Sequence, residues 1–233
     1  MPAIFILIVL VFLAFIVVGG IYSHRKQKER EAALRHLASE LGWQFHPIKN
    51  RSHHQEFPLF SIFTTGEARY AYNTLRGMLS INGSSWQGQM GDYHYETTSN
   101  SGKNKTTHTH RFSYLLVKMP YTLTPSLKIR REQLFDRMAS FIGFDDIDFE
   151  SAEFSDRFHV KSSDKRFAYD VIHPRMMEFL LAENPPSIHL EGGYCCIYTE
   201  NRCWPPAKFR DNATWMQEFF SHWPSHITST LPS

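Results

Sequence analysis

The run AIFILIVLVFLAFIVVGGI, Ala3 to Ile21, holds 19 residues without a charge. Nothing else in the chain constrains its folding as much. A helix rises ~1.5 Å per residue, so this run extends roughly 28 Å, about the thickness of a bilayer's hydrocarbon core. A cleaved secretion signal would carry a basic segment before its apolar core and a small-residue cleavage site after it. Only Met1 and Pro2 precede this run. The reading is an uncleaved, single-pass transmembrane anchor over residues 1–22, meeting the lipid bilayer through residues 3–21. HRKQKER follows and sets Arg25, Lys26, Lys28 and Arg30 just past the run. Basic flanks stay on the cytoplasmic side, so everything after residue 22 is expected there.

Charge beyond the anchor is balanced. Arg25, Lys26, Lys28 and Arg30 are four of the 25 Lys+Arg, and Glu29 is one of the 23 Asp+Glu. The rest of the chain is therefore slightly acidic. A nucleic-acid partner wants a basic face on the folded part, and none is indicated. The 19 Phe, 10 Tyr and 5 Trp argue instead for a packed core. The three cysteines, Cys195, Cys196 and Cys203, form no disulfide framework and suit a reducing compartment.

Ala33, Leu34, Leu37, Ala38 and Leu41 make one apolar stripe, closed by Gly42. Residues 23–42 thus read as a juxtamembrane amphipathic helix that docks on the domain. Residues 43–233 read as a soluble α+β domain, mostly antiparallel sheet with packed helices; a subdomain boundary could fall near 120–126. Expected strands are GWQFHPI, FPLFSIFT and the pair NGSSWQGQMGDYHYETT with KTTHTHRFSYLLVKM; in GEARYAYNTLRG Ala68, Tyr70 and Tyr72 alternate as in a strand while Ala71, Leu75 and Met78 fit a helix, and the bracketing Gly66 and Gly77 favour strand. DIDFE and RFHVK look extended. Leu134, Phe135, Met138, Phe141 and Ile142 make a helical stripe closed by Gly143. A helix follows a cap at Ser163 or Asp164 and breaks at Pro174. SIHLEGGYCCIYTE is a hairpin about Gly192-Gly193, and a last helix runs from about Pro206 to His222. The aromatic content should let a fragment starting near Arg30 fold without the anchor.

Two clusters could bind a cation. His94, Glu96, His108 and His110 flank one turn, and side chains alternate faces along a strand. If facing residue numbers sum to an even value, all four crowd one side and suit a divalent metal. If the sum is odd, the pairs take opposite faces. A loop centred on Ser101 or Gly102 gives the first case, a two-residue Gly102-Lys103 turn the second. The solvated tip of a long hairpin is the plainer reading, with residues 99–105 exposed. Asp146, Asp148 and Glu150 would share one side of a strand, but Ser151 and Arg157 stand where a calcium loop needs Gly and Glu. No nucleophile elbow, phosphate loop, dinucleotide loop or zinc-protease helix occurs. A hydrolase would need Ser, His and Asp brought together by the fold. No catalytic residue and no cofactor is indicated.

GEARYAYNTLRG, GDYHYETT with its Thr-rich return strand, DIDFESAEFSDRFHV and LEGGYCCIY, in that order, carry a resemblance. The chain resembles uncharacterised bacterial proteins with one N-terminal transmembrane helix and a domain of unknown function. The resemblance implies a bacterial inner membrane location and this architecture, and no activity. The expectation is a membrane-anchored binding or assembly module with a protein partner. A metal-binding protein and a membrane-anchored hydrolase are the alternatives.

Overall fold

The apolar run and the stripe after it form one element. In the computed structural model, which describes residues 2–101, 104–131 and 146–230, helix α1 spans Pro2–Leu41, 40 residues. Its two halves behave differently. Phe5, Phe12, Phe15, Val18 and Ile21 are each more than 60% exposed, whereas Leu34, Leu37 and Ala38 are buried. Residues 1–4 and 6–9 of the expected span lie outside the described side chains. Among the described residues no helix is long and apolar enough to cross a membrane.

The end of α1 is written in its sequence. Gly42 adopts φ +66°, its N–H reaches the Ser39 carbonyl at 3.2 Å, and the Trp43 N–H reaches the Ala38 carbonyl at 2.8 Å. These paired bonds satisfy carbonyls that the last turn leaves open, and only glycine takes that φ without steric cost. The turn delivers the Trp43 indole onto the sheet. It lies over Gly77 and Gly88, which face each other on adjacent strands, and donates Nε1–H to the Met78 carbonyl at 3.1 Å. A Cβ on Gly88 would stand 2.7 Å from the indole, so the two glycines are the seat of this ring.

The sheet is antiparallel throughout. Its strands are β1 Gln44–His46, β2 Glu67–Ile81, β3 Ser84–Ser101, β4 Asn104–Lys118, β5 Leu127–Arg131, β6 Phe158–Ser162, β7 Ser187–Glu191 and β8 Tyr194–Thr199. The spatial order is β1-β2-β3-β4-β8-β7-β5-β6. Strands β4 and β8 pair, so one sheet carries both sides of the expected boundary near 120–126.

Both faces are covered, which explains why Tyr114-Leu115-Leu116-Val117 is apolar without alternation. On one face Leu75, Met90, Leu115, Ile188 and Ile197 meet α1 and helix α7, Pro206–Ser221, which contributes Phe209, Phe219 and Phe220. On the other, Tyr93, Phe112 and Tyr114 pack under Phe60, Ile62 and Phe63. Those three sit on and beside helix α3, Ser61–Thr64, which follows a single turn α2, His53–Glu56. FPLFSIFT is therefore not the expected strand. A short aromatic run does not distinguish strand from buried helix by period, and this one plugs the second face.

Other expectations resolve similarly. DIDFE is irregular apart from a bridge between Asp146 and Lys161, and leads into helix α4, Ala152–Arg157, capped by the Ser151 hydroxyl. Helix α5, Lys165–Val171, starts at the Asp164 cap, and α6, Pro174–Glu183, restarts at Pro174. A final turn α8, Ser225–Thr230, was not expected. The helical stripe at Leu134–Gly143 lies outside the described residues.

Candidate functional site

Where α1 crosses β2, β3 and β4, one carboxylate on β3 collects the polar groups of the other three elements. Asp92 on β3 has no solvent exposure. Arg30 donates Nε–H to Oδ2 at 2.8 Å and Nη2–H to Oδ1 at 2.6 Å. Asn73 donates Nδ2–H to Oδ2 at 3.0 Å, and Ser113 donates its hydroxyl to Oδ1 at 2.6 Å. The arginine's Nη1 reaches the Trp204 carbonyl at 2.7 Å, and the Trp204 N–H reaches the Ser113 hydroxyl at 2.9 Å. A planar guanidinium matches a carboxylate with two parallel bonds. The pairing raises the Arg30 pKa against the lowering effect of its burial.

The local backbone serves this cluster. Strand β2 changes register between Tyr72 and Leu75, and Asn73 sits in the bulge at φ +51°. A bulge re-aims a side chain, and this one lets the Asn73 amide reach Asp92. It also switches which β2 residues face α1. Above it Tyr70 and Tyr72 pair with His94 and Asp92; below it Leu75 pairs with Met90.

Beside the cluster a groove of about 810 Å³ opens along α1. Tyr22, Lys26 and Arg30 line one wall, and Lys49, Tyr70, Tyr72 and Arg111 line the other. The Lys49 ammonium lies 4.3 Å from the Tyr70 ring centroid, and the His94 ring stacks on that tyrosine at 4.4 Å. Burial pushes the Tyr72 hydroxyl pKa up, with the Asp92 charge adding to it. Burial likewise lifts the Cys203 thiol to about 11, so this cysteine is a neutral wall residue rather than a nucleophile.

The histidine hairpin takes the odd register. His94 faces Arg111, Tyr95 faces His110, Glu96 faces Thr109 and Thr97 faces His108. His94 and Glu96 therefore share the α1 face, with Nε2 and Oε1 3.3 Å apart, while His108 and His110 take the other. The four candidate ligands do not converge, because pairing runs on to Ser101 opposite Asn104 and leaves two residues between. Pairing thus runs into the expected tip, where Ser99, Asn100, Asn104 and Lys105 are exposed. His110 instead bonds Thr97 at 2.8 Å and Asn201 at 2.7 Å. No cluster of three or more metal-ligating side chains occurs among the described residues. Asp146 pairs with Lys161 at 3.7 Å, and Asp148 and Glu150 are exposed on irregular chain.

Of the basic flank, Arg25 pairs with Glu29 and Lys28 with Glu31 along the helix. Lys26 lines the groove. Arg30 is no free charge: its partner is Asp92, which has no solvent exposure. The spacing of α1 alone could not reveal this. The signal lay in β3, where Asp92 shares parity with the core residues Trp86 and Met90.

A second polar cluster occupies the opposite face. On β7, Ser187, His189 and Glu191 alternate, with His189 Nε2 and Glu191 Oε2 3.2 Å apart. Burial lowers the His189 pKa against the opposing bond to Glu191.

No family model matches the sequence, and no curated protein matches it. Among solved structures the chain is similar to the crystal structure of the mycobacterial trehalose monomycolate transport factor A, TtfA. The TM-score is 0.55 at 11% identity, covering 84% of this chain and 96% of that one. A likeness at this identity shows a shared α+β fold and no more.

Proposed function

We propose that this is a single-pass membrane-anchored protein whose α+β domain is a cytoplasmic binding or assembly module. One observation carries the reading. From Leu10 to Tyr22, α1 projects large apolar side chains, 48% to 74% exposed, that nothing among the described residues covers. A contiguous apolar surface of this kind marks a membrane or protein contact. The basic residues that follow favour a bilayer with the domain on its cytoplasmic side. The resemblance to bacterial membrane-anchored proteins favours the inner membrane. A protein partner in the same membrane fits such a module.

The test is membrane extraction of the full-length protein with alkaline carbonate, beside a variant lacking residues 2–22. Full-length protein should stay in the pellet and the variant should leave it. A C-terminal reporter active only outside the cytoplasm should remain silent. Release of the full-length protein, or a strong reporter signal, overturns the anchor or its orientation respectively.

A further inference from the structure

We propose that the groove beside Asp92 binds the phosphate-bearing headgroup of an anionic bilayer lipid, an inference that rests on the anchoring proposed above. The groove holds an excess of positive charge. Asp92 is matched by Arg30, and Glu29 by Arg25. Lys26, Lys49 and Arg111 also line it, and none forms an ion pair among the described residues. Three cations converging on one cavity, with their countercharges already used, make a receptor for an anion.

The placement selects a lipid. Tyr22, Ser23, Lys26, Gln27, Arg30 and Ala33 form one face of α1 along the groove, and the first of them abuts the apolar run ending at Ile21. Lys26 stands five residues past Ile21, roughly 7 Å along the helix. The headgroup layer on one side of a bilayer is also about 7 Å deep. With residues 3–21 in hydrocarbon, the mouth of the groove opens at phosphate level. The far wall fits the same surface: Ile48, beside Lys49, is 82% exposed. An exposed apolar side chain next to a cation suits the boundary between headgroup and acyl chain. Tyr22 supplies an amphipathic ring at the same depth. Tyr70, held under Lys49, lines the wall where glycerol would lie.

The test uses the full-length protein in non-ionic detergent, titrated with phosphatidylglycerol or phosphatidylcholine and read by native mass spectrometry as lipid retained per chain. One phosphatidylglycerol per chain is expected, in preference to phosphatidylcholine. Lys49 and Arg111 are both exposed, so replacing them should leave the fold intact. Lys49→Ala with Arg111→Ala should weaken retention about thirtyfold, the product of two near-surface cations. Arg25→Ala with Lys28→Ala, outside the groove, should weaken it less than about threefold, since both already have carboxylate partners. Equal losses in the two pairs mean diffuse charge and overturn the site. Displacement by glycerol 1-phosphate or inorganic phosphate at matching concentration makes a free phosphate the ligand and overturns the lipid. Flotation with phosphatidylcholine vesicles separates the two readings. A chain that floats yet retains no phosphatidylglycerol refutes the site alone; a chain that does not float removes the anchor and this inference with it.

Discussion

Replacing Asp92 by Ala removes the acceptor of four hydrogen bonds at once. Three donors then lose their partner. Asn73 is 3% exposed and Ser113 is fully buried. The Arg30 side chain is only 21% exposed and cannot fully return to water. Removing one member of a buried ion pair costs about 3–5 kcal/mol, chiefly through the charge left behind. A domain typically has about 5–15 kcal/mol in total, so Asp92→Ala should remove a third or more. Arg30→Ala should cost a similar amount, because it strands a carboxylate with no exposure. The double variant should cost about 2–3 kcal/mol less than the sum of the singles, since residues in one network are not additive. Equilibrium urea unfolding of the full-length protein in non-ionic detergent, followed by tryptophan fluorescence, measures all three. Trp204, which bonds both Arg30 and Ser113 through its backbone, reports nearby. An Asp92→Ala cost below about 1 kcal/mol, or additive singles, would refute the reasoning and make the pair a surface contact in energetic terms.

Three further outcomes follow from packing and charge. A fragment beginning at Ser23 keeps Arg30 and should unfold cooperatively, whereas one beginning at Glu31 should be about 3–5 kcal/mol less stable; equal midpoints in urea would refute the docking role of Arg30. Gly88→Ala sets a methyl 2.7 Å from the Trp43 indole and should cost about 1–3 kcal/mol, read as a lower unfolding midpoint with a changed Trp43 emission. His53 is fully buried, and burial, with Arg76 and His54 nearby, lowers its pKa from 6.5 to about 3. Its unfolded form alone binds a proton between those values, so stability is complete above pH 6.5 and falls as pH drops toward 3, by up to about 1.4 kcal/mol per pH unit; His53→Phe should flatten the slope, and an unaltered slope refutes the assignment.

Much of the scaffold is legible in the residues themselves because its signals are local. Gly42 ends α1, Asp164 caps α5, Pro174 restarts the chain as α6, and Gly192-Gly193 turns the β7–β8 hairpin. The adjacent cysteines separate as strand alternation requires, Cys195 into one core and Cys196 into the other. The candidate site was not legible, because it depends on long-range pairing. Arg30 and Asp92 are 62 positions apart, and Arg30 alone looks like any basic residue after an apolar run. The hairpin register turned on residues 102 and 103, where turn chemistry permits either parity. One missed signal was present. Tyr70 and Tyr72 alternate on even numbers while Leu75, Leu79 and Ile81 do so on odd ones. Such a switch within one strand marks a bulge between them, and the bulge is what turns Asn73 toward Asp92.

The unbroken course of α1 also has a rotational meaning. A helix advances ~100° per residue, so the azimuth of Arg30 relative to the apolar run is set by the number of residues between them. One added residue between Tyr22 and Arg30 would swing the whole sheet by about that angle while lengthening the rod by only ~1.5 Å. The segment thus works as a phase-setting shaft: its length scarcely matters to where the domain stands, and its residue count determines which way the domain faces. Gly19 and Gly20 are the one place on the shaft where two neighbouring residues lack side chains and the backbone is softest. They lie on the far side of Tyr22 from the groove, so bending there would tilt groove and sheet together and leave their mutual bearing unchanged.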